Sequence, residues 1–247
     1  MSNDKTHVEH WDDAWSKAPR AGVPSSLNID VRNHKALLRQ YIAADSKVLE
    51  IGFAPGKLLL WVAKELSAQV TGLDYSPQGI QRARDLFATM KVTAELRCED
   101  VFKSTLGECQ FDFVYSSGLI EHFDDPRDIV RQHLKFVRSG GRALLLVPNY
   151  GGWMGAVQGF LDPENLGIHN TNIMTPPSLL ELCPAEITAS ARAFYFGRFS
   201  PWLLSFEKKM PGLLARPFAY GLNGLAHLQF MQVNSLSPMV GLEIVRS

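Results

Sequence analysis

Cysteine is scarce, and neither sign of charge is in surplus. The three cysteines, Cys98, Cys109 and Cys183, form no Cys-x-x-Cys pair and leave one unmatched. That argues against a disulfide framework or a structural zinc site, and all three read as free thiols. Lys and Arg total 25 against 25 Asp and Glu, so the chain lacks the basic excess that a sequence-independent grip on nucleic acid requires. No stretch reaches the roughly 18 uninterrupted apolar residues of a membrane span. The polar, acidic start MSNDKTHVEHWDD has no basic segment leading into an apolar run, so no secretory signal is read. No repeat, low-complexity tract or charge block divides the chain. What is present is 46% hydrophobic and 10% aromatic residues in a chain of 247. That suffices for a sizeable core and excludes wholesale disorder. The expectation is a cytoplasmic protein made of one domain.

From about residue 30 to 148, short β-rich apolar runs alternate with helical patterns. Strands are expected over Lys47–Ile51, Val70–Asp74, Thr93–Arg97, Phe111–Tyr115 and Arg142–Val147. Between them, Gly56–Leu66 places Leu59, Leu60, Val62, Ala63 and Leu66 on one side of a helix. Ser76 and Pro77 supply an N-cap and a first-turn proline for a helix to about Met90. Another helix, about Pro126–Val137, is closed by Ser139-Gly-Gly141, and one before the first strand, about Asn28–Ile42, covers a face. This order implies βαβ units and a parallel sheet. After Val147 a glycine-rich stretch leads into a loop holding His169, then a short helix over Pro176–Leu182. Strands over Ile187–Phe196 and Met239–Val245 follow without a helix of crossover size, which predicts an antiparallel edge. The Trp-, Phe-, Leu- and Pro-rich stretch between them reads as an inserted helical cap, about 198–232.

The most informative segment is Val48-Leu-Glu-Ile-Gly-Phe-Ala-Pro-Gly-Lys57, a strand running through Gly-x-Ala-x-Gly into a helix. Gly52 and Gly56 let the backbone turn sharply and pass close to a ligand at the carboxyl end of the strand, where ligands sit in open α/β sheets. Asp74 ends the second strand, 22 residues after Gly52, where a carboxylate can accept both ribose hydroxyls of an adenosine. Asp100, after the third strand, offers an acceptor to an adenine amino group. Two cofactor classes fit a glycine turn plus a ribose carboxylate. Dinucleotides favour Gly-x-Gly-x-x-Gly, which brings a pyrophosphate to a helix N-terminus. Here the spacing differs, and the acidic Glu50 precedes the turn; a carboxylate suits the ammonium group of a methionine moiety better than a pyrophosphate.

On these residues the chain resembles the class I S-adenosylmethionine-dependent methyltransferases. Glu50, Gly52, Ala54 and Gly56 match the family's glycine motif, with alanine in place of the usual middle glycine. Asp74 matches the ribose ligand, and Asp100 with Val101 the adenine contact. Phe111-Asp-Phe-Val-Tyr-Ser-Ser-Gly-Leu-Ile-Glu-His-Phe-Asp-Asp125 is similar to the signature of ubiquinone-pathway and other small-molecule methyltransferases, and Leu134-Lys-Phe-Val-Arg-Ser-Gly-Gly-Arg142 to their turn into the fifth strand. The resemblance implies an α/β, Rossmann-like, seven-stranded mixed sheet with helices on both faces and a helical cap near the C-terminus. It divides the chain into an N-terminal helical lid (1–45), a cofactor-binding core (46–148) and an acceptor-side half (149–247). It implies S-adenosylmethionine as cofactor, held also by Tyr75 and Ser117, and a small-molecule acceptor methylated on oxygen in preference to nitrogen, with no nucleic-acid partner.

Methyl transfer from a sulfonium is an in-line displacement, and a base is needed only where a proton masks the acceptor's lone pair. His122, after the fourth strand, and His169, in the acceptor-side loop, are the catalytic candidates; a structural role stands beside each. His169, Tyr150 and Trp153 are the candidate acceptor contacts. Glu121 has no second carboxylate at convincing spacing, and no metal is assigned. Trp11 and Trp15 either fold over the cofactor or pack as an i, i+4 pair on one helix. Three roles stay open for the cap: acceptor pocket, homodimer contact, or a surface meeting a lipid-linked substrate at a membrane. The alternatives to a methyltransferase are a nicotinamide-dependent oxidoreductase and a non-catalytic S-adenosylmethionine-binding protein.

Overall fold

Strand and helix alternate in the computed structural model as the sequence pattern predicts. The structure describes residues 5–18 and 22–247; residues 1–4 and 19–21 of the expected N-terminal lid lie outside the described residues. In chain order the elements are α1 (Val8–Lys17), α2 (Ile29–Leu38), β1 (Lys47–Ile51), α3 (Lys57–Glu65), β2 (Gln69–Asp74), α4 (Pro77–Thr89), β3 (Glu95–Cys98) and β4 (Phe111–Ser117). They continue with α5 (Arg127–Phe136), β5 (Val137–Pro148), α6 (Trp153–Leu161), α7 (Pro163–Gly167), α8 (Pro176–Leu180), β6 (Thr188–Phe196), α9 (Gly212–His227) and β7 (Met239–Arg246). The seven strands form one sheet in the order β3-β2-β1-β4-β5-β7-β6. β1 to β5 run parallel, while β7 lies antiparallel between β5 and β6.

The central strands read as near-continuous apolar runs because both faces of the sheet are covered. Leu49, Ile51, Val114, Leu145 and Val147 point to one core, packed with Ile129, Val130 and Leu134 of α5 and Leu179 of α8. Their strand neighbours Val48, Phe113, Tyr115, Leu144 and Leu146 point to the other, filled by Leu59, Leu60 and Val62 of α3 and Ile80 and Phe87 of α4. Caps start the helices where the sequence places them. The Asn28 side chain accepts from the Asp30 and Val31 amides, Ser76 accepts from the Gly79 amide beside Pro77, and Thr175 accepts from the Ser178 amide beside Pro176.

At the antiparallel edge, Glu243 of β7 sits opposite Leu144 of β5 and Arg192 of β6. Its buried carboxylate pairs with Arg142 and Arg192 and accepts from the Tyr41 hydroxyl at 3.1 Å. Because a one-residue slip turns every side chain to the other face, this buried charge cluster specifies the register of β7.

Some boundaries differ from the sequence reading. β3 starts at Glu95 rather than Thr93, and β4 runs on to Ser117. The expected turn at Ser139-Gly-Gly141 lies inside β5, as an irregularity in its pairing with β4 where Gly140 takes φ 71°. The stretch after β5, read as a loop, carries two helices, α6 and α7. Their Asp162 caps α7 through the Asn165 amide. The expected cap is helical, but α9 faces opposite to its large side chains. It buries Ala215, Ala219, Asn223 and Ala226, while Leu213, Tyr220, Leu225 and Leu228 are exposed. The small residues let its backbone approach α2 closely enough for Asn223 to accept from the Ile29 amide (2.9 Å) and donate to the Leu27 carbonyl (2.8 Å). Among the described residues, no helix is long and apolar enough to cross a membrane.

Candidate active site

The sheet order reverses between β1 and β4, and a crevice opens beyond their carboxyl ends, the usual ligand position in such sheets. The glycine loop forms its floor. Gly52 takes φ 69° and Gly56 φ 84°, the left-handed region that suits glycine. Between them Phe53 is buried against Gly72 of β2, where an added Cβ would lie 2.7 Å from the phenyl ring. This fixes the loop onto the sheet. Asp74 fixes its other side, with one carboxylate oxygen accepting the Ala54 amide at 3.0 Å and the other the Ser76 amide at 2.9 Å. Burial pushes the Asp74 carboxyl above its ordinary pKa, against those amide hydrogen bonds.

Two cavities meet here. The first, about 240 Å³, is floored by Ile51, Gly52 and Ala54, walled by Asp74, Tyr75, Asp100 and Val101, and roofed by Trp11 and Trp15 of α1. The second, about 380 Å³, lies between Tyr150, His169 and the cap residues Trp202 and Leu203, with Asp30 and His34 of α2 at its side. Ser117 at the end of β4, with Gly118 and His122 just after it, lines both. The first cavity carries the carboxylates of Asp74, Glu99 and Asp100 and, among the described residues, no lysine or arginine.

The roof is latched in place. Asp12 of α1 accepts the Ser76 hydroxyl at 2.5 Å and the Gln78 amide at 3.2 Å, so a carboxylate sits at the N-terminus of α4, where the helix dipole favours it. Arg82 of α4 donates to the Trp15 and Ala18 carbonyls. Trp11 and Trp15 stack at 6.4 Å, and Trp11 meets His122 edge-on at 5.1 Å. The i, i+4 pair thus lies on one helix and lines the first cavity.

The other sequence candidates divide. Asp100 lines the cavity while its side chain accepts the Phe102 amide at 3.0 Å. Ser117 is hydrogen-bonded to His34 at 3.0 Å, and because His34 Nδ1 donates to the Asp30 carbonyl, its Nε2 accepts from the hydroxyl. Glu50 and Gly56 do not line the first cavity. Glu50 is buried under the loop and accepts the Tyr115 hydroxyl at 2.7 Å; burial pushes its carboxyl up to about 8. Gly56 is the N-cap of α3 and backs onto Phe87 and Ala83. Tyr150 lines the second cavity, its hydroxyl donating to the Leu203 carbonyl at 2.6 Å. Trp153 instead stacks on Phe199 at 6.1 Å and donates to the Ser235 carbonyl at 2.5 Å, in a separate surface depression. The α6 helix, unforeseen in the sequence, turns it there.

His122 and His169 come together, ring centroids 4.8 Å apart. Asn170 does the joining. Its amide donates to the Glu121 carbonyl at 2.7 Å, and its side chain donates to the carbonyls of Phe123 and Asp124. His122 Nδ1 donates to the Ile168 carbonyl at 3.0 Å and His169 Nδ1 to the Asn165 carbonyl at 2.7 Å, leaving each Nε2 with its lone pair. Burial, with His169 alongside, lowers His122 to about 4, and burial lowers His169 as well. Glu121 joins them, its carboxyl raised by burial to about 8. Asp12, His34, Trp202 and Leu203 are site residues that the sequence reading missed. Each lies far along the chain from the motif it serves, and only the helical spacing of His34 to Asp30 offered a local signal.

Residues 49–145 match the family model described as a methyltransferase domain. The chain is 24% identical over 144 residues to the methyltransferase GfsG of Streptomyces halstedii, covering 58% of this chain and 50% of that protein. It is 33% identical over 98 residues to the ubiquinone biosynthesis O-methyltransferase of Neisseria meningitidis, covering 38% and 41%. The chain thus spans half or less of the length of these relatives. Among solved structures, Haemonchus contortus phosphoethanolamine N-methyltransferase 2, in complex with phosphomonomethylethanolamine and S-adenosylhomocysteine, superimposes with a TM-score of 0.62 at 15% identity, over 98% of this chain and 57% of that one. The plantazolicin methyltransferase BpumL in complex with S-adenosylhomocysteine gives 0.56 at 14%, over 97% and 89%. At such identities the superpositions speak for the fold. The domain match lies across the glycine loop, Asp74 and the signature after β4, so over residues 49–145 the chain is similar to a methyltransferase domain.

Proposed function

We propose that this protein transfers the methyl group of S-adenosylmethionine to a small-molecule acceptor, on oxygen in preference to nitrogen. The observation that carries the reading is the pairing of a carboxylate-lined, lysine- and arginine-free cavity under the glycine loop with a second cavity that opens at Ser117, Gly118 and His122. Carboxylates match the hydroxyl and amino donors of an adenosine bearing an amino acid. They repel a pyrophosphate, which counts against the nicotinamide alternative. In this reading residues 46–148 hold the cofactor: Asp74 the ribose, Asp100 and Val101 the adenine, and Gly52 and Ala54 the close-packed loop. Residues 149–247 enclose the acceptor between Tyr150, His169 and the cap.

The cofactor supplies an electrophilic methyl on a sulfonium and leaves as S-adenosylhomocysteine. The chain then has two tasks. Trp11 and Trp15 roof the first cavity and exclude water. The seam at Ser117 to His122 holds the acceptor oxygen in line with the methyl, since alignment of reactants is where most of the acceleration in such a displacement arises. A hydroxyl acceptor must also lose its proton, and the unprotonated Nε2 atoms at the seam are suited to take a hydrogen bond from it.

Calorimetry with S-adenosylhomocysteine and with NAD on the full chain tests the first half of the reading. Binding of the former and not the latter is expected, and the reverse overturns it. Incubation with methyl-labelled S-adenosylmethionine and a panel of phenols, alcohols and amines tests the second. Label is expected on an oxygen acceptor; binding without transfer to any of them would favour the non-catalytic alternative.

A further inference from the structure

We propose that Glu121, His122 and His169 form a binding site for a divalent transition-metal ion at the seam between the two cavities. One potential ligand atom from each lies within 4.8 Å of the others. Ligands about 2.0–2.2 Å from a shared tetrahedral ion stand about 3.3–3.6 Å apart, so rotation of the side chains must close the widest pair by about 1.2–1.5 Å.

Three independent features point the groups at a cation. Both histidines donate Nδ1–H to backbone carbonyls, those of Ile168 and Asn165. That leaves Nε2 as the lone pair in each ring, the arrangement that orients metal-binding imidazoles. Glu121 is 1% exposed, and its Oε2 has no hydrogen-bond partner. A buried carboxylate oxygen left without a partner is costly in a folded chain, and an ion beside the two imidazoles accepts its lone pair. The Asn170 amide, bonded to the Glu121 carbonyl at 2.7 Å, sews the two ligand-bearing segments together, so the ligands are positioned by backbone and not by free side chains.

Two imidazoles and one carboxylate select the class of ion. Magnesium and calcium want oxygen donors, whereas this donor set suits zinc, ferrous iron, cobalt or manganese and leaves further coordination positions open. His122 and His169 both line the second cavity, so an open position there meets a ligand arriving from that side. If the methyl-transfer reading holds, on which this consequence rests, that ligand is the acceptor hydroxyl. Coordination lowers its pKa and its proton passes to water. The oxygen then forms its bond to the methyl carbon as the carbon–sulfur bond breaks. The ion keeps its oxidation state throughout.

The test uses the full chain, stripped with a chelator and titrated with Co²⁺, whose visible absorption reports its ligands. One equivalent is expected to bind with an imidazole-containing spectrum that Zn²⁺ displaces. Glu121→Gln and His169→Ala should each lose at least tenfold in affinity, while the surface variant His227→Ala should match the wild type. S-adenosylhomocysteine binding is measured on the same samples. Variants that still bind it are folded, and their undiminished cobalt affinity would overturn the site, as would a wild-type chain that takes up no cobalt. If either variant fails to fold, His169→Gln takes its place. Cobalt binding without nucleoside binding would leave the metal site standing and remove the methyltransferase reading; the converse would remove the metal site alone.

Discussion

Asp74→Asn separates the observed loop-holding task of this carboxylate from its proposed ribose-binding one. In the folded chain Asp74 joins the glycine loop to the cap of α4, its two oxygens accepting the Ala54 and Ser76 amides. Asparagine offers one oxygen, so its amide nitrogen must face one of these N–H groups. An unsatisfied buried donor costs about 1–3 kcal/mol. Against that, the wild-type carboxylate is disfavoured by burial, and removing the charge offsets part of the loss. The net falls near the lower end, and at 2–4 °C per kcal/mol for a chain of this size the melting temperature should drop by about 2–5 °C. Binding should suffer more. The ribose hydroxyls would lose a charged acceptor, and one or two charge-assisted hydrogen bonds at about 1.5–3 kcal/mol each raise the Kd for S-adenosylhomocysteine by about 10- to 100-fold or more. Differential scanning fluorimetry reads the first quantity and titration calorimetry the second. A lowered melting temperature with unchanged nucleoside affinity would refute the ribose role. Unchanged values of both would show that the carboxylate does not hold the loop.

Substitutions at four further positions probe the same architecture. Glu50 titrates near 8 when folded and at its ordinary 4.5 when unfolded. The unfolded chain therefore releases the proton first, and stability falls as pH rises from about 5 to 8. Glu50→Gln should flatten part of that decline in melting temperature, Glu121 contributing a parallel slope; superimposable pH profiles would show that Glu50 is not the source. Gly72→Ala places a Cβ 2.7 Å from the Phe53 ring and should destabilise by about 1–3 kcal/mol. Phe53→Leu in the same chain should restore part of it, and a chemical-denaturation series in which it restores nothing would locate the strain elsewhere. Trp11→Ala removes the roof contacts to Trp15 and His122. If the roof also loses one aromatic contact with the bound nucleoside, at about 0.5–1.5 kcal/mol, S-adenosylhomocysteine binding should weaken about 2- to 10-fold. Calorimetry giving wild-type affinity would mean that α1 is packing and not a lid.

The parts of the fold that the sequence revealed are those set by local rules. The strand ends at Ile51 and Asp74, the Ser76–Pro77 start of α4 and the two left-handed glycines follow from side-chain period, caps and φ preferences within a few residues. Errors fell where longer-range packing overrode the local signal. The glycines after α5 do not end that region but sit within β5, as an irregularity between Val137 and Arg142, which both pair with β4. The Gly-rich stretch after β5 folds into α6, which carries Trp153 away from the cleft it was expected to line. In α9, whose role the sequence left open, contact with α2 requires small side chains, and the large ones turn out to solvent.

What the sequence determined by itself was the first cavity's half of the site: a glycine turn, a carboxylate ending the next strand and another after the third, all on adjacent strands of a parallel sheet. What only the tertiary structure decided was the second cavity, where Glu121 and His122 meet His169 because Asn170 ties its loop to the turn after β4, and the closing of α1 over the first through Asp12. The division has one cause. Periodicity and capping act between residues close in the chain, whereas groups separated by tens of residues are brought together only when the whole backbone has closed its hydrogen bonds.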